Sequence, residues 1–198
     1  MVPSQVLSPY DDKLTSSSTG PGGEIYPGSF IGESNVAFDS QLQRKIMGQF
    51  ATGVTVMTMK NGDETWGMTA NAVTSVSLDP PLVLVCVEKG NQTHPRVSEA
   101  GCFALNILAA DQQELSDRFA FVGPKDCSGL DVTTDTTGAP ILAGTLGHVD
   151  CQVHEVVTAG DHDIFLGEIV GGAFCEGAPL LFFAGGYKQL ASDGPSGD

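Results

Sequence analysis

Basic residues are scarce. Nine Lys and Arg stand against 24 Asp and Glu in 198 residues, a formal charge of −15. The three arginines, Arg44, Arg96 and Arg118, are dispersed. Binding a phosphate backbone takes clustered cations, so neither nucleic acid nor an anionic membrane surface is expected as a partner. No apolar run approaches the roughly 18 residues that cross a bilayer. The first 20 residues carry Asp11, Asp12 and Lys13 with no continuous apolar stretch, which argues against a secretory leader. The five cysteines (Cys86, Cys102, Cys127, Cys151, Cys175) form no C-x-x-C pair and no close ligand pair, so no metal site is expected. Their odd number fits reduced thiols in the cytoplasm better than a disulfide framework. A G-x-G-x-x-G fingerprint is missing, and with it any Rossmann unit.

Hydrophobic residues make up 41% and charged residues 17%, a balance that permits a packed core. The length fits one domain with loose ends. Residues 1–35 are rich in Ser, Gly and Pro without a sustained period and read as an N-terminal tail; 191–198 read as a second tail, leaving a domain over 36–190. Phe38, Leu42, Ile46 and Phe50 recur every four positions behind a capping Asp39 or Ser40, which predicts a short helix. From Val54 to Met59 the period changes to two, and Asn61-Gly62 signals a hairpin whose returning strand runs from Trp66 to Ser77. Asp79-Pro80-Pro81 ends that strand, and Leu82–Val87 reads as a buried one. A helix from Thr93 stops near Gly101, Cys102–Leu108 is a strand, and Asp111 with Glu114 predicts the capped start of another helix. After a loop over 123–138, strands are expected at His148–Val157, Ile164–Phe174 and Leu180–Phe183. In the first of these Asp150 falls on the wet face, with His148 and His154. Strands dominate, so the expected fold is mainly β, a closed antiparallel barrel with short flanking helices.

The segment from Gly67 to Pro81 is unusual for a strand. Small residues and hydroxyls replace bulky groups: Thr69, Ala70, Asn71, Thr74, Ser75, Ser77. Such a surface lets a flat ligand reach the backbone, and hydroxyls with main-chain N–H groups can hold phosphate without cations. It also suits a strand packed closely on another backbone.

Gly53-Val54-Thr55-Val56, Gly67-Met68-Thr69-Ala70-Asn71, Ser75-Val76-Ser77-Leu78-Asp79-Pro80-Pro81-Leu82, Cys86-Val87 and Gly160-Asp161-His162 with Gly167 follow one another in an order that resembles the flavin reductase family. The resemblance runs from about Phe38 to Leu190. It implies an FMN-binding split barrel, a homodimer, that reduces FAD or FMN with NADH or NADPH and hands reduced flavin to a partner flavin-dependent monooxygenase. It further implies that Thr52, Gly53, Val54 and Thr55 with Thr69, Ala70 and Asn71 edge the isoalloxazine, and that Ser75, Val76 and Ser77 follow the ribityl chain and phosphate. In the segment that binds phosphate in the family, Lys89 and Thr93 match, and Asn91 stands where Ser is frequent. His162 is the nicotinamide-side histidine and the one catalytic candidate. Tyr187 matches the family's Tyr near the last strand, while Ala184 replaces the family's Arg.

A histidine after Gly-Asp is by itself ordinary turn material. Phe119 and Phe121 read as packing residues before flavin contacts. The absence of a basic pocket beside His162 favours NADH, since a 2′-phosphate usually meets an Arg. Two other readings share the architecture: a non-catalytic flavin-binding module, and a pyridoxamine-phosphate-oxidase-like enzyme, which the low cation count disfavours. A charge of −15 repels anionic dinucleotides at long range. The kcat/KM for NADH is therefore expected to stay flat or rise as salt is raised from about 20 to 300 mM. A steep fall would contradict this electrostatic reading.

Overall fold

The computed structural model describes residues 38–121 and 125–190. The expected tails, 1–35 and 191–198, lie outside the described residues. The chain opens with α1 (Ser40–Met47), where the Asp39 carboxylate accepts a hydrogen bond from the Gln41 N–H at 2.9 Å, as its capping role predicts. The two-residue strand β1 (Thr52–Gly53), which belongs to a separate small sheet, precedes β2 (Thr55–Asn61) of the main sheet. The turn at Asn61-Gly62 returns the chain as β3 (Glu64–Ala70), with Asn61 opposite Glu64.

The returning segment is not one strand. It breaks at Asn71–Ala72 and resumes as β4 (Val73–Leu78), which pairs with β5 (Pro81–Glu88). α2 (Thr93–Ala100) ends at Gly101, whose φ of +64° is the left-handed conformation that a glycine adopts without strain. β6 (Cys102–Ile107) leads to α3 (Gln113–Ala120). Asp111 does not cap α3; the position belongs to Gln112, whose side chain instead accepts from the Ala109 N–H and donates to the Ala143 carbonyl. The expected loop over 123–138 contains β7 (Val132–Thr134), which pairs with β8 (Pro140–Leu142). The long hairpin of β9 (Gly147–Ala159) and β10 (His162–Phe174) follows, then β11 (Leu181–Phe183) and a strand not foreseen, β12 (Gly186–Lys188).

The main sheet has seven strands in the order β3-β2-β6-β9-β10-β5-β4, all antiparallel to their neighbours. Laid flat, its outer strands would stand about 29 Å apart at roughly 4.8 Å per strand. Yet β3 and β4 are joined by two residues, and the three Cα steps from Ala70 to Val73 reach at most about 11 Å. The sheet must therefore roll up until its edges meet at Asn71–Ala72.

The rolled interior holds Met57, Met59, Val83, Val85, Val87, Phe103, Leu105 and Phe165. A second cluster, with Val54, Val56, Leu108, Phe119 and Leu180, packs outside it. β2 is thus buried on both faces, which is why its sequence reads as nearly continuous apolar and small residues. Asp150, expected on a wet face, is fully buried: its carboxylate accepts from the Thr137 N–H and hydroxyl at 2.6 and 2.5 Å. Among the described residues no helix is long and apolar enough to cross a membrane.

α3 lies so close to β3 that a Cβ added to Gly67 would fall 2.5 Å from the Phe119 ring. We expect Gly67→Ala to cost roughly 1–3 kcal/mol by overpacking. Urea unfolding checks this, and a double variant with Phe119→Leu should lose less than the sum of the two single losses.

Candidate active site

The corner where the barrel closes gathers several of the expected residues. Asn71 Nδ2 donates to Thr52 Oγ1 at 3.3 Å, tying β1 to the joint between β3 and β4. β1 is also the edge of a small sheet, with Thr52 opposite Phe182 and Gly53 opposite Leu181, and β11 pairs in turn with β12. The side chains of Val54 and Thr55 turn into the protein, and the Thr55 hydroxyl donates to the Ala70 carbonyl at 2.7 Å. At those positions, and at the buried Ala70, only main-chain atoms remain for a ligand. Gly53 is exposed, and a Cβ placed on it would meet nothing within 4 Å. A planar ring can lie against it.

One wall of this corner rests on α3. The Thr69 hydroxyl donates to the Ser116 carbonyl at 2.6 Å. The Tyr187 hydroxyl donates to Asp117 Oδ1 at 2.9 Å, which leaves Ser116 Oγ, 2.8 Å away, to donate to it. Burial first, and then the Asp117 carboxylate, push the Tyr187 phenol above its ordinary range, so it stays protonated. Its ring meets Phe182 edge-on at 5.6 Å. Ser116 and Asp117 were not foreseen. Their signal is spatial, because only the fold brings α3 to β12.

Ser75, Val76 and Ser77 lie on β4, an outer strand of the sheet. The register shifts between Ser75 and Ser77, so Val76 is the bulged residue and its side chain is exposed. Ser75 is exposed too, and the Ser77 hydroxyl accepts from the Asp79 N–H at 3.2 Å.

The remaining candidates collect beyond the far end of β5. His162 pairs with Glu88 and Ala159 across the first position of β10, next to the turn Gly160-Asp161. Its Nδ1 donates to Asp161 Oδ1 at 2.8 Å, which leaves Nε2 for a ligand. Lys89 donates through its ammonium to the Gly160 carbonyl at 2.8 Å and stands 3.3 Å from Asp163 Oδ1. Asn91 Oδ1 accepts from the Thr93 N–H at 2.9 Å and so caps α2, a task that Gln92 does not perform with its side chain. Thr93 is buried, and its hydroxyl accepts from the Trp66 indole at 3.0 Å. Asn91 and Thr93 thus shape α2, and their polar groups are turned to the protein.

β5 measures the distance between these groups. Ser77 lies opposite Leu82, Ala72 accepts from the Cys86 N–H, and His162 lies opposite Glu88. At about 3.3 Å per residue, the Asn71–Ala72 corner is roughly 7 Å along the strand from the His162 position, and Ser77 roughly 20 Å. A tricyclic ring at the corner could therefore extend its phosphate tail along β4 while a second ligand approaches from His162. Among the described residues no group of three or more His, Cys, Asp or Glu could hold a metal ion.

Residues 47–191 match the model of the flavin reductase like domain. An FMN reductase (NADH), SmoA, of Agrobacterium fabrum is 41% identical over 153 residues, spanning 77% of this chain and 87% of that protein. The reductase subunit HsaB of a flavin-dependent monooxygenase of Rhodococcus jostii is 35% identical over 158 residues, 79% of this chain and 81% of that one. The NADH:FAD oxidoreductase SgcE6 of Streptomyces globisporus, solved with NAD and FAD fragments, superposes with a TM-score of 0.72 at 39% identity, covering 77% of this chain and 93% of that chain. The chain belongs to the flavin reductase family, and its rolled antiparallel sheet is the split barrel that the resemblance implied.

Asp163, also unforeseen as a site residue, is held below its ordinary value of 3.8. The His94 hydrogen bond does most of this, burial opposes it, and Lys89 and Thr158 add to it. A carboxylate with a depressed folded pKa stabilises the fold above its ordinary value, and that contribution disappears as pH falls through the folded value. The difference in urea midpoint between the native chain and Asp163→Asn should accordingly narrow below about pH 4.

Proposed function

We propose that this protein is an NADH-dependent flavin reductase that transfers a hydride from NADH to FAD or FMN and supplies reduced flavin to a partner flavin-dependent monooxygenase. The observation that carries the reading is the open corner at Gly53 and Asn71, set one short span of β5 from His162 in a chain of this family. When bound there, flavin supplies the hydride acceptor and the dinucleotide the donor.

The protein supplies geometry. Thr52, Gly53 and Asn71, with the main chain of Val54, Thr55, Thr69 and Ala70, hold the ring edge. Main-chain N–H groups at that edge favour the negative charge that reduction places on the pyrimidine side. Ser75, Val76 and Ser77 follow the ribityl chain and phosphate, and Tyr187 backs the ring through its links to α3. His162, with Nε2 unspent, orients the nicotinamide carboxamide or the dinucleotide phosphate. Hydride transfer needs no general base, so substitutions here act on position.

The same reading includes a homodimer in the cytoplasm. Support comes from the apolar residues of α1 and its flanks: Leu42, Ile46 and Met47 on the helix and Phe38 and Phe50 on either side of it are all exposed, and the helix buries no residue in its own chain. Leu78 and Phe174 are 91% and 88% exposed as well, more large apolar surface than a solitary chain of this size usually leaves bare. Five free thiols agree with a reducing compartment.

Steady-state NADH oxidation with excess FMN or FAD tests the function. An enzyme turns over many times per subunit, whereas a flavin carrier stops after one reduction. His162→Ala should lower kcat/KM for NADH by roughly 10–100-fold. If turnover and the KM for NADH are both unchanged, the role of His162 is wrong.

A further inference from the structure

The β9–β10 turn is braced more heavily than its own chemistry demands. A two-residue turn with Gly160 at a φ of +65° closes the hairpin unaided. Beneath it, however, Asp163 faces inward in the same row as Phe165 and Gly167, all three buried. Val or Thr would fill that strand position at less cost, since a carboxylate leaves water only at a penalty that its partners must offset.

Those partners lead in two directions. Asp163 Oδ2 accepts from His94 Nε2 at 2.8 Å, which fastens β10 to α2, and the His94 ring in turn meets Phe165 edge-on at 5.5 Å. Oδ1 lies 3.3 Å from the Lys89 ammonium, an ion pair without the alignment of a hydrogen bond. Lys89 then grips the turn twice: its ammonium donates to the Gly160 carbonyl at 2.8 Å, and its main-chain N–H donates to the Asp161 carbonyl at 3.0 Å. Asp161 holds His162. A continuous path of contacts thus runs from α2 through one buried carboxylate to the histidine that faces the ligand.

We infer that Asp163 is a positioning residue that sets the β9–β10 turn, and with it His162, through Lys89 and His94. The inference rests on the role proposed above for His162. It also gives Lys89 a task on the nicotinamide side, distinct from the flavin phosphate contact that its sequence position implied.

The test compares variants of the full chain in two assays, steady-state kinetics and flavin binding by fluorescence quenching. Asp163→Asn keeps the shape and removes the charge, and should raise the KM for NADH roughly ten-fold while kcat and the flavin Kd stay within about two-fold. Lys89→Met should show the same split, and Lys89→Arg should restore the KM to within about three-fold of the native value. In a His162→Ala background, Asp163→Asn should add less than about two-fold. A flavin Kd that shifts as far as the KM for NADH, or additive losses in the double variant, would overturn the inference. So would a native KM in Asp163→Asn beside a raised one in His162→Ala, which leaves the role of His162 standing. A native KM in His162→Ala would remove both. Should Asp163→Asn not fold, the Lys89 pair decides the matter, because that side chain is 38% exposed.

Discussion

Two residues have to join the outermost strands of a seven-stranded sheet, and the rest of the molecule accommodates that joint. Because the joint through Asn71 and Ala72 reaches at most about 11 Å, the sheet has no choice but to curl, and β3 and β4 meet without a ladder between them. A seam of this kind would ordinarily be filled by bulky side chains. Here it is lined by Thr69, Ala70, Asn71 and Gly53, so the backbone stays within reach of a flat ligand. The small sheet of β1, β11 and β12 is fixed beside the seam by the Asn71–Thr52 bond and by the contact of Tyr187 with α3.

Buried polar groups carry the closure through to the opposite side of the barrel. Asn106 on β6 is inaccessible to solvent, donates to the Val56 carbonyl and the Thr58 hydroxyl, and accepts from the Leu142 N–H at 2.8 Å. It locks β8 onto β2 and β6, while Asp150 holds the loop at Thr137. Each would be costly if left unpaired, so they specify one arrangement of the β7–β8 hairpin. The same holds for Asp163, whose burial is compensated by the His94 hydrogen bond and the Lys89 ion pair.

What could be read in the sequence follows from how local its cause is. The Asp39 cap, the Asn61-Gly62 hairpin and the stop at Gly101 are decided within a few residues, and they stand where the pattern put them. The break at Asn71 was hidden because β3 and β4 share a period of two and a run of small residues; only their pairing with β2 on one side and β5 on the other separates them. Asp150 looked wet because its partner, Thr137, lies in a loop with no period of its own. At the site, the small and hydroxyl-bearing residues advertised an open backbone, but which hydroxyls were already spent, as at Thr55 and Thr93, depended on the packing. Asp163 was the most legible of the missed groups, an acid in a row of inward residues two places from Phe165.

We propose the seam at Asn71–Ala72 as the surface on which flavin lies. Backbone ¹H–¹⁵N correlation spectra of the labelled protein, recorded as FMN or FAD is added and then NAD⁺, test it without turnover. Flavin should shift the amides of residues 52–53 and 69–72 most, and those of 160–163 should move only when the dinucleotide follows. Flavin binding that leaves residues 52–53 and 69–72 in place while other amides move would contradict it.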